Sequence, residues 1–336
     1  MKRTLKIAAI LVLIACILLS VSCSKKTENK SLKIGVAKLL SHPALDAAEK
    51  GMADYLSEKG IDVVYDYQNA NGDISTSASI AQKFKDSKVD IAVGIATPTA
   101  QALANVFPPS SGVPVVFVAV TDPVDAGLVE SWEGSDKTNI CGVSDNTPVY
   151  EQIKLLSEIT GAKTIGNVYA SGEANGVVLK NMAEDACKKL GLNFVSASIA
   201  NTAEVKQATQ SIINRVDAVY IATDNAVISA LPAVDEVCTL ANKPLFAADP
   251  SNVEGLNCAI AWGFNYYSIG VATGKMIEQI INGTPAGTLG SQVLTDPKEF
   301  ELWFNLDTAK KLGYTIPQNL LDSAACIIEN GKTIRK

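Results

Sequence analysis

Short, almost wholly apolar runs alternate along this chain with amphipathic stretches at helical spacing, and the rhythm occurs twice. The first series predicts strands at Lys33–Ala37, Asp62–Tyr67, Ile91–Ile95, Val115–Val120 and Ile140–Val143. Between the first two, Ala44–Glu58 sets Ala44, Leu45, Ala48, Met52, Tyr55 and Leu56 near one helical face. The second series predicts strands at Thr164–Tyr169, Phe194–Ile199, Ala218–Ile221, Leu245–Ala248 and Ala259–Trp262, with helices at Gly176–Leu190, Ala203–Asn214 and Asn225–Ala241. A strand apolar on both faces must be covered on both, and helices between successive strands supply that cover in a parallel sheet. Two such series predict an α/β fold with two doubly wound parallel-sheet lobes. The 336 residues, 47% hydrophobic and 19% charged, are enough to bury two cores and argue against global disorder.

Three places suggest that the chain passes between lobes: Gly142–Thr147, where a strand ends in turn-prone residues, Gly263-Phe264-Asn265, and the late strand Phe300–Leu306. The expected division is 32–144 plus about 264–293 for lobe I, and 145–263 plus about 294–336 for lobe II. Several crossings would make a hinge on which the lobes close as rigid bodies.

The N-terminus points to a membrane. Basic Met1–Lys6 precedes the apolar run Ile7–Val21, which is shorter than the roughly 20 residues a spanning helix needs. Residues 1–22 therefore read as a signal peptide, and 23–31 as an acylated cysteine with its tether. Cys23 occupies the place where a bacterial lipoprotein carries its lipid, although Ser20 stands where a leucine is usual. Leu13-Ile14-Ala15-Cys16 fits that motif locally, but cleavage there would expose Ile17-Leu18-Leu19. Beyond the leader, Cys141, Cys187, Cys238, Cys258 and Cys326 are odd in number and lack CxxC spacing. They read as buried thiols rather than a disulfide framework or zinc cage. The net charge of −6 leaves no basic footprint for nucleic acid.

The chemistry of the chain gathers at one repeated junction, in which a strand runs through a polar cap and a proline into a helix. Thr97-Pro98-Thr99, Thr121-Asp122-Pro123, Asp145-Asn146-Thr147-Pro148 and Asp249-Pro250-Ser251 all have this form. Proline suits the start of a helix and holds the preceding residue extended. In a parallel α/β sheet these junctions lie at the carboxyl ends of the strands, where such folds bind ligands and where free amide N–H groups attract anions. Taken singly, each also reads simply as a helix cap, contributing about 1 kcal/mol. Thr97, Thr99 and Thr121 offer hydroxyls suited to a carboxylate, with Asp122 beside them. In the second series Ser171, Glu173, Asn175 and Asn225 are polar groups at strand ends, and Asp224 or Asp249 can balance a ligand ammonium.

Enzyme signatures are missing. His42 is the sole histidine, so HExxH and histidine-based metal sites are excluded, and it reads as a cap or cleft-lining residue rather than a general base. There is no GxSxG elbow and no GxGxxG after a strand. No cofactor or metal is expected; Asp and Glu keep carboxylate-based catalysis open.

The chain resembles the solute-binding lipoproteins of ABC importers that take up aromatic amino acids, whose fold is the type I periplasmic-binding fold. The matching stretches are Ser41–Asp46, Gly94–Ala102, Pro114–Val124, Gly142–Asp145, Ala247–Gly255 and Gly263–Tyr267. The likeness extends from about Lys33 to Ile328. It implies a tryptophan, tyrosine or phenylalanine ligand, with Thr97 and Thr121 on the carboxylate and an acidic residue on the amine. It also implies a permease with a cytoplasmic ATPase as partner. The same fold serves sugars and nucleosides, which remain alternative ligands.

Overall fold

A computed structural model describes residues 31–336, so the predicted leader, Cys23 and most of the tether lie outside the described residues. The first lobe is built on β1 (Leu32–Lys38), β2 (Val63–Asn69), β3 (Ile91–Ile95), β4 (Val115–Val118), β5 (Ile140–Ser144) and β11 (Ser291–Val293). They form one sheet in the order β11-β5-β4-β3-β1-β2. The second lobe takes β6 (Thr164–Ala170), β7 (Asn193–Ile199), β8 (Ala218–Ile221), β9 (Leu245–Ala247), β10 (Ile260–Phe264), β12 (Phe300–Asn305), β13 (Cys326–Glu329) and β14 (Lys332–Arg335). Their order is β14-β13-β12-β10-β9-β8-β6-β7.

Both sheets therefore contain the same doubly wound series. Strand order reverses between β1 and β3 in one lobe and between β6 and β8 in the other. At such a switch point successive helices leave on opposite faces of the sheet and open a crevice at the carboxyl ends of the strands. Among the described residues the chain changes sheets three times, after β5, after β10 and after β11.

Departures from the sequence expectation have local causes. The predicted strand Val115–Val120 stops at Val118 because Ala119 adopts a left-handed backbone, with φ at 54°. The single helix expected over Asn225–Ala241 is two, Asn225–Ser229 and Leu231–Leu240. Pro232 has no N–H to give Ile228 and its ring would crowd that carbonyl, so the helix breaks at Ala230. The second sheet is not wholly parallel, since β12 runs antiparallel to β10 and β14 antiparallel to β13.

Apolar cores fill the lobes, with Phe84, Phe117, Tyr220, Phe246 and Phe304 almost wholly buried. Rings of this kind each stabilise the fold by about 1.5–3 kcal/mol. One helix pair bears directly on the crevice. The helix α1 (Pro43–Glu58) follows β1, and the helix Tyr266–Ile281 returns from β10 to lie along it. A Cβ at Gly51 would lie 2.2 Å from the Tyr267 carbonyl oxygen, and one at Gly270 2.1 Å from that of Ala48. Only glycine allows the two backbones to come so close, and this contact fixes the starts of both helices, His42 and Tyr266, at the crevice.

Candidate functional site

The strand ends at the two switch points present side chains that the fold itself does not use. In the first lobe, His42 follows β1 and Thr97 follows β3. His42 is buried and neither ring nitrogen makes a hydrogen bond; Thr97 is buried and its hydroxyl likewise has no partner. In the second lobe, Asn175 follows β6 and Thr223 follows β8, and Asn175 Oδ1 and Thr223 Oγ1 are buried without a partner. Asp249, after β9, keeps Oδ1 on the backbone and side chain of Ser251 but leaves Oδ2 free. Buried polar atoms are nearly always hydrogen-bonded, so such a group of unpaired ones needs an explanation.

The lobes meet over these residues. Thr97–Val106 of the first lobe touches Ala174–Leu190 of the second, and α1 touches the turn Pro250–Asn252. His42 and Leu45 from one side, and Thr223, Asn225, Ile228 and Asp249 from the other, enclose with Tyr266 a small cavity of about 10 Å³. A wider groove between the lobes, lined by Leu40, Asn71, Gly172, Glu173 and Asn201 among others, opens to solvent.

The charge balance of the crevice is one-sided. Tyr266 donates to Asp145 Oδ2 at 2.7 Å, and Thr121 donates to Asp145 Oδ1 at 3.2 Å. Burial raises the Asp145 pKa against the pull of those two bonds. Asp249 is pushed up to about 6 by burial, with Ser251 opposing and the Asp145 and Glu301 charges adding to the rise. Glu173 and Asp224 are both raised, chiefly by burial, and Asp224 raises Glu173 further. Among the described residues no lysine or arginine forms an ion pair with any of these four carboxylates; Lys38 pairs instead with Asp46 and Glu49. Four buried acids without a cation favour a positively charged guest.

The remaining sequence candidates are tied into the fold. Thr99 donates to the carbonyls of Ile95 at 2.7 Å and Ala96 at 2.9 Å. Asp122 is part-buried and accepts from the amides of Val124 and Asp125, holding a turn. Ser171 is exposed and bonds the Ile199 carbonyl. Asn225 donates to Glu173 at 2.6 Å. Asp224 accepts from the Ala170 amide at 2.7 Å and caps its helix through Val227 N at 3.1 Å, so both oxygens are committed. Two polar cavity residues, Thr223 and Tyr266, and two apolar ones, Leu45 and Ile228, were not among the site residues chosen from the sequence. Thr223 sits one residue before a capping aspartate at a strand end. Tyr266 follows the Asn265 cap, and its signal was the polar crossing Gly263-Phe264-Asn265.

Comparison with known proteins agrees with this architecture. The family model described as ABC transporter substrate binding protein matches residues 33–328. The chain belongs to that family. This substrate-binding protein is 34% identical over 295 residues to a tyrosine-binding protein of Clostridioides difficile strain R20291, covering 86% of this chain and 83% of that one. Among solved structures, an ABC domain in complex with L-Trp from Streptococcus pneumonia is 32% identical with a TM-score of 0.83, covering 89% of this chain and all of that one. A ligand-free, open substrate-binding protein with adhesive properties from Clostridium difficile is 34% identical, covers 86% of this chain and 97% of that one, and has a TM-score of 0.64. At nearly equal identity, this substrate-binding protein thus superposes better on the liganded relative than on the open one. Its fold is the type I periplasmic-binding fold, and proteins of its family act outside the cytoplasm, holding a small molecule for an ABC transporter. No helix among the described residues is long and apolar enough to cross a membrane.

Proposed function

We propose that this protein captures a free aromatic amino acid between its lobes and delivers it, unchanged, to an ABC permease with a cytoplasmic ATPase. The observation that carries the reading is the free Asp249 Oδ2 among buried carboxylates that have no cation, together with the unpaired Thr97 hydroxyl across the crevice. A zwitterion answers both needs. Its ammonium meets Asp249, and its carboxylate meets the free Thr97 hydroxyl of the first lobe, whereas Thr121 already donates to Asp145. Asp224 is a scaffold for this site rather than the amine partner, because both its oxygens are already bonded.

The ring alone is not enough. Burying 150–250 Å² of aromatic surface at about 25 cal/mol per Å² contributes about 4–6 kcal/mol. Micromolar affinity needs about 8 kcal/mol after association costs, so the zwitterion contacts must supply the remainder. The tyrosine and tryptophan named for two relatives support an aromatic side chain. The lobes, 32–144 with about 264–293 and 145–263 with about 294–336, open and close on the three crossings. Cys23 carries the lipid that holds the protein at the membrane.

The test is a thermal-shift screen of the twenty amino acids with sugars and nucleosides alongside. A ligand at a hundred times its Kd should stabilise by about 2.7 kcal/mol. Stabilisation by L-tyrosine, L-tryptophan or L-phenylalanine is the expected result. Stabilisation by a sugar or nucleoside instead, or by no amino acid, would refute the reading.

A further inference from the structure

With Thr223, His42 is one of two groups lining the cavity whose unpaired polar atoms the zwitterion contacts leave unused. Its ring is 7% exposed and neither nitrogen has a hydrogen-bond partner. It stands at the start of α1 without capping that helix, so the fold makes no use of it there. Leu45 and Ile228 form the apolar part of the cavity wall beside it. The polar groups facing it from the second lobe are Thr223, Asn225 and Asp249, with Tyr266 from the neighbouring helix; Asn225 gives one of its two amide N–H donors to Glu173 and also holds its side-chain amide toward the imidazole. Burial pushes the imidazole pKa down to about 4, with Lys38 adding to that and Asp46 and Asn225 opposing it. A neutral imidazole offers one N–H donor and one acceptor nitrogen.

In the empty protein neither nitrogen makes a well-formed hydrogen bond, so that acceptor is open to a donor from the ligand. A ligand carboxylate has none. The ammonium has donors, but the free oxygen of Asp249 is a charged acceptor and takes them more strongly. What is left in an aromatic amino acid is a donor on the ring. We propose that His42 accepts a hydrogen bond from a ring-borne donor, a phenolic O–H or an indole N–H, and so selects tyrosine or tryptophan over phenylalanine. The inference rests on the amino-acid reading of the crevice and deepens it. A site built to bond such a group rejects the analogue that lacks it, because its own buried polar atom is then left unpaired.

The experiment is calorimetric titration of L-tyrosine, L-tryptophan and L-phenylalanine into wild type, His42→Leu and His42→Asn, the last keeping a side-chain acceptor. Wild type should bind the better of tyrosine and tryptophan roughly 10- to 100-fold more tightly than phenylalanine. His42→Leu should bring that ratio to within about threefold by weakening the donor-bearing ligand while phenylalanine affinity holds. His42→Asn should restore part of the ratio, which loss of packing alone would not do. Equal wild-type affinity for all three, or an unchanged ratio in His42→Leu, would overturn the role of His42 and leave the amino-acid reading standing. Failure of all three to bind wild type would overturn both.

Discussion

Replacing Asp249 with asparagine tests the charge logic of the crevice on two axes at once. The substitution keeps an oxygen for Ser251 and removes the charge that has no partner. The rise of the Asp249 pKa from 3.8 to about 6 corresponds to about 3 kcal/mol, at 1.36 kcal/mol per unit, of penalty on the ionised form. The folded pKa lies above the unfolded one, so the native state binds this proton more tightly. Below about pH 4 the carboxyl is protonated in both states and costs nothing; the penalty grows between about pH 4 and 6 and is complete above that. Empty Asp249→Asn protein should therefore be more stable than wild type at pH 7.5, by at most ~3 kcal/mol since opening the lobes relieves the same burial, and equal to it near pH 4. Ligand affinity should move the other way. Removing one partner of a buried charge pair costs about 3–5 kcal/mol, or roughly a hundredfold to a few thousandfold in Kd. Chemical denaturation at the two pH values and calorimetry at pH 7.5 measure both quantities. Unchanged affinity, or an empty variant less stable than wild type at pH 7.5, would refute the assignment.

Thr97→Val should weaken ligand binding by about 1.5–3 kcal/mol, the value of a hydrogen bond to a charged group, with no fall in the melting temperature of the empty protein; a loss of stability with intact affinity would make Thr97 structural. Asp224→Ala should behave oppositely, lowering stability by about 2–4 kcal/mol in urea, because a helix cap and the hydrogen bond to the buried Ala170 amide go together. Gly270→Ala should destabilise by about 1–3 kcal/mol or more, since its methyl would press on the Ala48 carbonyl, and wild-type stability in that variant would contradict the packing described.

The parts of the fold legible in the sequence were those with local causes. Runs such as Ile91–Ile95 are apolar on both faces and so declare a covered parallel strand, and proline after a polar residue marks where the next helix begins. The division of Asn225–Ala241 was also local, in Pro232, but the apolar periodicity running across it concealed the break. Short β11, β13 and β14 carry little pattern and owe their pairing to tertiary context. The site followed the same rule. Asp224 and Asp249 look alike in sequence, each an aspartate capping a turn after a strand. Their difference lies in Ala170, 54 residues away, whose amide takes the second oxygen of one and not the other. Tyr266 reaches the crevice only because Gly51 and Gly270 let two helices touch backbone to backbone.

The triple passage of the backbone between the sheets has a mechanical consequence. A single strap would let two bodies twist and slide as well as bend, whereas three side-by-side straps resist twist and shear and leave bending as the soft direction. On the proposed reading, occupancy is then written into one angle, which a membrane partner gripping both bodies would sense without touching the cargo.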